Sequence, residues 1–205
     1  MNANASASPY LTLDMAVLSA AQRYKLFMGS VVPRPIALVS SLTEKGDTNV
    51  APFSNFMVVS SSEKILAFSV GKDQVRDRLE KDTLANVRKT PEFVVNTVPL
   101  EFVRQVQECS EYFPPEVSEA AVTGLHLLPS VKIKTPRIAE SKVQFECRLH
   151  SVQKFGESHL VFGEVLLVHV NEAIFDDYKI DFKAYAPAGR IGGRVYCALG
   201  DLIEV

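Results

Sequence analysis

Ser54 and Asn55 stand between Phe53 and Phe56 in the run TNVAPFSNF, and Thr83 follows Lys81 and Asp82 in KDTLANVRK. Two hydroxyls and a carboxamide, framed by aromatic rings, can hydrogen-bond a flat polar ring or a phosphate. A helix opening at Asp82 would strengthen a phosphate contact, because the first amides of a helix have no partner within it. Arg34 is always charged and could pair with a phosphate or an anionic ring edge. His159 stands just before LVFGEV and could lie beside such a ring. Each residue also has a plainer reading. Ser54 and Asn55 could form only a turn, Thr83 could be an ordinary first-turn residue, and composition alone favours those readings. Arg34 alone is more often a surface residue, and His159 on spacing alone reads as a loop histidine. Asp82 reads better as an N-cap than as an anion contact, since its charge repels phosphate.

The elements that must position these groups follow from local pattern. Ile36–Ser40 is a short run of strand formers, Gly46 and Asp47 mark a turn, and Asn49–Phe56 is a second arm, so Arg34–Phe56 reads as a hairpin. Pro33 and Pro35 lack backbone donors and predict an extended lead-in at a sheet edge. Ser19 is placed to cap a helix through Met28, with Gly29 to end it. Ile65–Val70 and Glu92–Val98 read as strands. Between them lies an alternating-charge segment, Gly71 to Lys81, read as a solvated loop, and then a helix from Asp82 that Pro91 stops. Pro99 suits the first turn of another helix, with Leu100, Val103 and Val106 on one face. Residues 110–125, with Pro114, Pro115 and Gly124, read as an excursion. Three strands are expected near Val131–Lys134, Val143–Phe155 and Leu160–Val170, with Gly156 in the last turn. At least six strands with three short helices predict a mainly β fold, a barrel with decorations. Residues 1–18 read as an N-terminal tail and 19–205 as one domain.

Bulk properties narrow the function. The 205 residues are 47% hydrophobic and 22% charged, with a net charge of −2, and the pI is near 6.1. That balance argues against a nucleic-acid surface and a polybasic membrane patch. MNANASASPY has neither the basic nor the apolar region of a secretory signal, and no apolar run has membrane-spanning length. Three scattered cysteines predict buried thiols in a reducing cytoplasm. His150 and His169 have no ligand-like spacing, so a metal site is not expected. No Gly-x-Gly-x-x-Gly follows a strand, and no phosphate-loop signature is present. No nucleophile is visibly paired with a base. Gly189, Gly192 and Gly193 either permit positive φ or let backbone approach a cofactor or partner chain.

The ordered strings PRPIALVSS, TNVAPFSNFMVVSSSEKILAFSVG and KDTLANVRKTPEFVVN, followed by HLVFGEV and GRIGGRVY, resemble the flavin reductase-like FMN-binding split-barrel family. The likeness is to its nitrilotriacetate monooxygenase component B and flavoredoxin-like members. It spans roughly residues 30–100 and 140–196 on the logic that several ordered motifs outweigh one; segment 108–130 matches no family motif. The resemblance implies a Greek-key split β-barrel and a homodimer with FMN near the subunit interface. It carries FMN contact to Arg34, Pro35, Ile36, Val39 and Ser40, to Asn49 and Ala51, to Phe53, Ser54, Asn55 and Phe56, and to Asp82, Thr83 and Asn86. It brings Arg190 to the cofactor or dimer contact and His159 to the nicotinamide of NAD(P)H. Main-chain groups of Val39–Ser40 and Asn49–Phe53 could hold the ring. The implied reaction passes hydride from NAD(P)H through bound FMN to free flavin, a metal chelate or a partner monooxygenase, the ring carrying the reactivity. Two other readings stand beside it: a flavoredoxin-like FMN electron carrier without pyridine-nucleotide oxidase activity, and a cofactor-free structural dimer.

Overall fold

The computed structural model describes residues 9–73, 75–77, 80–113 and 117–205. The first eight residues of the expected tail, Arg78 of the charged loop, and Pro114 and Pro115 of the excursion lie outside the described residues. The chain opens with α1 (Ala20–Ser30), then β1 (Ala37–Leu42), β2 (Thr48–Phe53), β3 (Phe56–Ser60) and β4 (Ile65–Val70). Helix α2 (Asp82–Lys89) leads into β5 (Glu92–Thr97). A 3-10 turn (Leu100–Phe102), α3 (Val103–Glu108) and α4 (Glu119–Thr123) follow, then the short pair β6 (Leu127–Leu128) and β7 (Arg137–Ile138). Two long strands, β8 (Val143–Phe155) and β9 (Ser158–Val170), complete the main sheet. The small pair β10 (Phe175–Asp176) and β11 (Lys179–Ile180), α5 (Phe182–Tyr185) and a hairpin of β12 (Gly189–Gly192) and β13 (Val195–Cys197) close the chain.

Seven strands form one antiparallel sheet in the order β2-β1-β5-β8-β9-β4-β3. Its two edge strands, β2 and β3, are consecutive in sequence and joined only by Ser54 and Asn55. The sheet therefore curls until its edges meet at that corner, where the Ser69 amide donates to the Asn55 carbonyl at 2.9 Å. This is the mainly β, split-barrel architecture expected. The predicted hairpin is present over Ala37–Leu42 and Thr48–Phe53, but its second arm stops at Phe53, and Phe56 begins a strand on the opposite edge.

Period-two alternation sends successive residues of β1 into two different cores. Ala37 and Val39 join Phe53, Phe68, Phe93, Val95 and Val161 inside the barrel, with Leu84 and Val87 of α2. Ile36 and Leu38 face outward and pack with Val50, Phe102, Val106 and Ile138 beneath α3 and α4. Ser19 caps α1 through a reciprocal pair: Gln22 N–H donates to Ser19 Oγ, and Ser19 N–H donates to Gln22 Oε1. Among the described residues no helix is long and apolar enough to cross a membrane.

Three local expectations are corrected. Val131–Lys134 is irregular rather than a strand, because the amides of Val131 and Lys132 each donate at 2.7 Å to the buried Glu146 carboxylate instead of a ladder. Asp82 is the first helical residue of α2, and Lys81 is the N-cap, without a side-chain cap bond. His159 lies within β9, opposite Val70 and Lys154, and is not a loop residue.

Glu146 also accepts from His169 Nε2 at 2.6 Å. Burial alone would raise its pKa, but the hydrogen bonds from His169, Val131 and Lys132 outweigh that and hold it below the ordinary carboxylate range. A depressed carboxylate contributes stability that is present above its unfolded pKa and lost as pH falls through its folded one. Glu146→Gln should cost about 3 kcal/mol, since one of the two amides loses its acceptor and faces an amide N–H in a buried site. It should also make stability less steep in acid, and urea melts from neutral to acid pH check both outcomes. Gly163, the glycine of HLVFGEV, has a packing reason: a Cβ there would sit 2.3 Å from Phe93 Cζ. Gly163→Ala should cost about 1–3 kcal/mol through overpacking, read as a lower denaturant midpoint at unchanged slope.

Candidate flavin site

Helix α2 closes one end of the barrel. Leu84 and Val87 enter the barrel core, while the polar residues of the same helix turn to the hairpin. Asn49 Nδ2 donates to Thr83 Oγ1 at 3.1 Å, and Asn86 Nδ2 donates to Ser41 Oγ at 3.2 Å. Thr83 is buried at 1% exposure, so its hydroxyl is fixed in place rather than free on a helix surface.

Beside this junction is a cavity of about 180 Å³. Asn49, Ala51, Pro52 and Phe53 of β2 form one wall, and Lys81, Asp82 and Thr83 another. A smaller hollow of about 150 Å³ adjoins it and shares Asn49 and Asp82, with Asn86 in its lining. Five of the predicted residues thus line the same space: Asn49, Ala51, Phe53, Asp82 and Thr83. Ser54, Asn55 and Phe56 continue from its rim around the barrel corner. A larger hollow between α5 and residues 198–202 contains none of the predicted residues.

Other predicted residues are placed elsewhere. Arg34 is buried, and its Nη groups donate to the carbonyls of Met28, Val31 and Ile191 at 2.7–3.0 Å. Its main chain pairs with Arg190. Arg190 stacks on Tyr196, 4.5 Å from the ring centroid, and donates to Gln107, Tyr196 and the Gly193 carbonyl. Pro35 is exposed, Ile36 is in the outer core and Val39 in the barrel core. Ser40 donates to the Pro136 carbonyl at 2.6 Å. Strand β1 pairs with both β2 and β5, so the main chain of Val39 and Ser40 serves two ladders. Any contact these two residues make with a ring is additional to that pairing.

The cavity's far wall was missed by sequence reasoning. It comprises Asp73, Val75 and Arg76 of the charged loop, with Cys109–Phe113 and Glu119. Arg76 is not solvated. Its Nη1 donates to Asp82 Oδ2 at 2.5 Å, its Nε to Tyr112 Oη at 3.2 Å and its Nη2 to the Phe113 carbonyl at 3.1 Å. The Tyr112 hydroxyl, then Asp82, push its pKa further up. Glu119 Oε2 accepts the Val50 amide at 3.1 Å, and burial raises that carboxyl's pKa. No periodicity links residues 76, 112 and 119 to Asp82, so only the surplus of aromatic and charged side chains in segments without a repeat pointed to them.

One feature fits a phosphate, and one buried ring nitrogen stands apart from the lining of both hollows. The opening amides of α2 have no side-chain cap, and that is a place for an anion. His159 is 3% exposed, and its Nδ1 has no partner among the described residues. It stands opposite Val70, directly before the loop that forms the cavity's far wall.

Comparison with known proteins follows the same line. Residues 28–186 match the family model described as a flavin reductase like domain. A protein of Aquifex aeolicus is 43% identical over 174 residues, covering 84% of this chain and 88% of its own. The crystal structure of nitrilotriacetate monooxygenase component B from Bacillus cereus is similar at a TM-score of 0.89, 29% identity, covering 96% of this chain and 98% of that one. The 2-nitrobenzoate 2-nitroreductase of Pseudomonas fluorescens is similar at a TM-score of 0.86, 33% identity and 95% of both chains.

Thr83→Val keeps the volume but removes the acceptor for Asn49. It should destabilise the fold by about 1–2 kcal/mol, measured by chemical denaturation without added ligand.

Proposed function

The chain belongs to the flavin reductase-like domain family, and from that premise we propose that it is an FMN-binding oxidoreductase that takes hydride from NAD(P)H. The carrying observation is that β2 and the first turn of α2, 34 residues apart at the Asn49–Thr83 bond, form two walls of one cavity. Bound FMN supplies the ring that accepts hydride and returns electrons to an acceptor. Thr83 and the opening amides of α2 hold its phosphate, and Asn49, Ala51 and Phe53 form the wall beside it. Ser54 and Asn55 supply a hydroxyl and a carboxamide at the rim. His159 orients the nicotinamide through its free ring nitrogen. The acceptor is free flavin, a metal chelate or a partner monooxygenase component.

The working unit in this reading is a homodimer. Strand β3 is a sheet edge with Met57, Val58 and Val59 at 53%, 67% and 44% exposure. Helix α1 buries none of its residues, although it carries Tyr24, Leu26 and Phe27. Apolar edges and faces of this extent mark a surface that another chain covers.

Purified protein with FMN should show the perturbed visible spectrum of a bound flavin, and anaerobic NADPH or NADH should bleach it. Absence of bleaching with either nucleotide overturns the hydride reading. Replacing Asn55 and Thr83 together by Ala should weaken FMN binding at least ten-fold, about 1.4 kcal/mol. His159→Ala should raise the nicotinamide KM and leave the FMN titration unchanged.

A further inference from the structure

The cavity at the first turn of α2 is lined by more acids than bases. Asp73, Asp82, Glu111 and Glu119 face it, against Arg76 and Lys81. Three of the four acids are already matched. Asp82 pairs with Arg76 at 2.5 Å, and Glu111 with Arg194 at 2.6 Å. Asp73 accepts the amides of Val75 and Arg76 at 3.2 Å and lies 3.8 Å from the Arg76 guanidinium. Glu119 differs. It makes no ion pair among the described residues, and its Oε2 accepts the neutral Val50 amide at 3.1 Å.

The position of Glu119 makes that unmatched charge matter. Glu119, Asn49, Asp82 and Phe113 line both the cavity and the hollow that adjoins it. Its carboxyl therefore stands where the two spaces meet, with Asp82 of the α2 first turn. Burial lifts its pKa, the amides of Glu119 and Val50 pull the other way, and the charges of Asp82 and Arg76 both reach it. Burial pushes the neighbouring Cys109 thiol up to about 11, so that thiol is uncharged near neutral pH. The remaining charged groups facing the two spaces are Asp47, Asp73, Lys81 and Glu111. A carboxylate and a phosphate sharing such a space repel more strongly than they would in water. A neutral carboxylic acid does not repel. It keeps one oxygen for the Val50 amide and offers an O–H donor from the other.

Resting on the reading of the α2 first turn as the seat of the flavin phosphate, we propose that Glu119 is a proton-linked determinant of phosphate binding: the phosphate is held with Glu119 protonated, and one proton enters from solvent with it. By linkage, a ligand held by the protonated form binds more weakly as pH rises through that group's pKa. FMN affinity therefore falls with rising pH, while riboflavin, which lacks the phosphate, is indifferent to Glu119. Glu119→Gln is a permanent copy of the neutral acid. Its Oε1 keeps the Val50 amide and its Nε2 donates where the carboxyl O–H would.

FMN and riboflavin are titrated into the wild-type chain and Glu119→Gln from about pH 5.5 to about pH 8.5 at fixed ionic strength, followed by flavin fluorescence. At the alkaline end Glu119→Gln should bind FMN at least ten-fold tighter than wild type. The gap should narrow towards the acid end, and riboflavin should bind both alike throughout. The phosphate's own titration and the other charged groups are common to both proteins and cancel in the ratio. A ratio near one across the range overturns the proposal, and so does an equal gain for riboflavin. Inorganic sulfate, a dianion that does not titrate in this range, tests Glu119 without flavin: at the alkaline end it should raise the Tm of Glu119→Gln more than that of wild type. Where neither protein binds flavin, a larger sulfate effect in the variant upholds Glu119 and removes the flavin reading, and an equal effect overturns both. FMN binding with no difference between the two proteins overturns Glu119 and leaves the flavin reading standing. Where Glu119→Gln does not fold, wild type decides: stabilisation by sulfate that fails to decline with rising pH overturns the proposal.

Discussion

The insertion of α2 into the end of the barrel is the constraint on which the site depends. A curled antiparallel sheet leaves an open end, and its apolar interior must be covered there. Leu84 and Val87 do that covering. Because an eight-residue helix has few positions, the residues between and beside them are fixed by the same act. Thr83 and Asn86 are pressed against the hairpin and held by Asn49 and Ser41. A core requirement thereby fixes polar groups that a surface helix would leave to roam. The precision of the site follows from packing, with hydrogen bonds selecting the register.

The barrel also divides labour along β1. Its inward residues belong to one core, its outward residues to another, and its main chain to two neighbours. Most of what that strand offers is thereby committed to the fold. The edge strand β2 has main chain on one side only committed to the sheet, which is why the cavity lies beside it. The outward amide of Val50 is taken up by Glu119, so the segment that covers this edge also forms the cavity's far wall.

Most of the barrel was legible because alternation and turn residues are local signals. The capped helix at Ser19, the hairpin after Arg34 and the helix stopped by Pro91 all follow from neighbours in sequence. A turn at Ser54–Asn55 was legible from its residues, but its passage from one sheet edge to the other was not, since an apolar strand past Phe53 looks the same whichever edge it joins. Val131–Lys134 has strand-like composition, but a buried carboxylate fifteen residues away claims its amides. Arg34 had the residue type for an anion contact, and only tertiary packing reveals that three carbonyls already occupy it. Arg76 was hidden for the opposite reason: in a run of alternating charges, nothing local marks the one that folds inward.

Arg34 carries one more consequence. Its guanidinium joins the C-terminal end of α1 to the hairpin of β12 and β13, and its main chain pairs with Arg190. Helix α1 and that hairpin therefore share one buried charge as a common anchor. Neither can peel away without stranding that charge in a dry setting, a penalty large enough to make them leave together. Helix α1 and the β12–β13 hairpin thus share an anchor, though 157 positions separate Arg34 from Ile191.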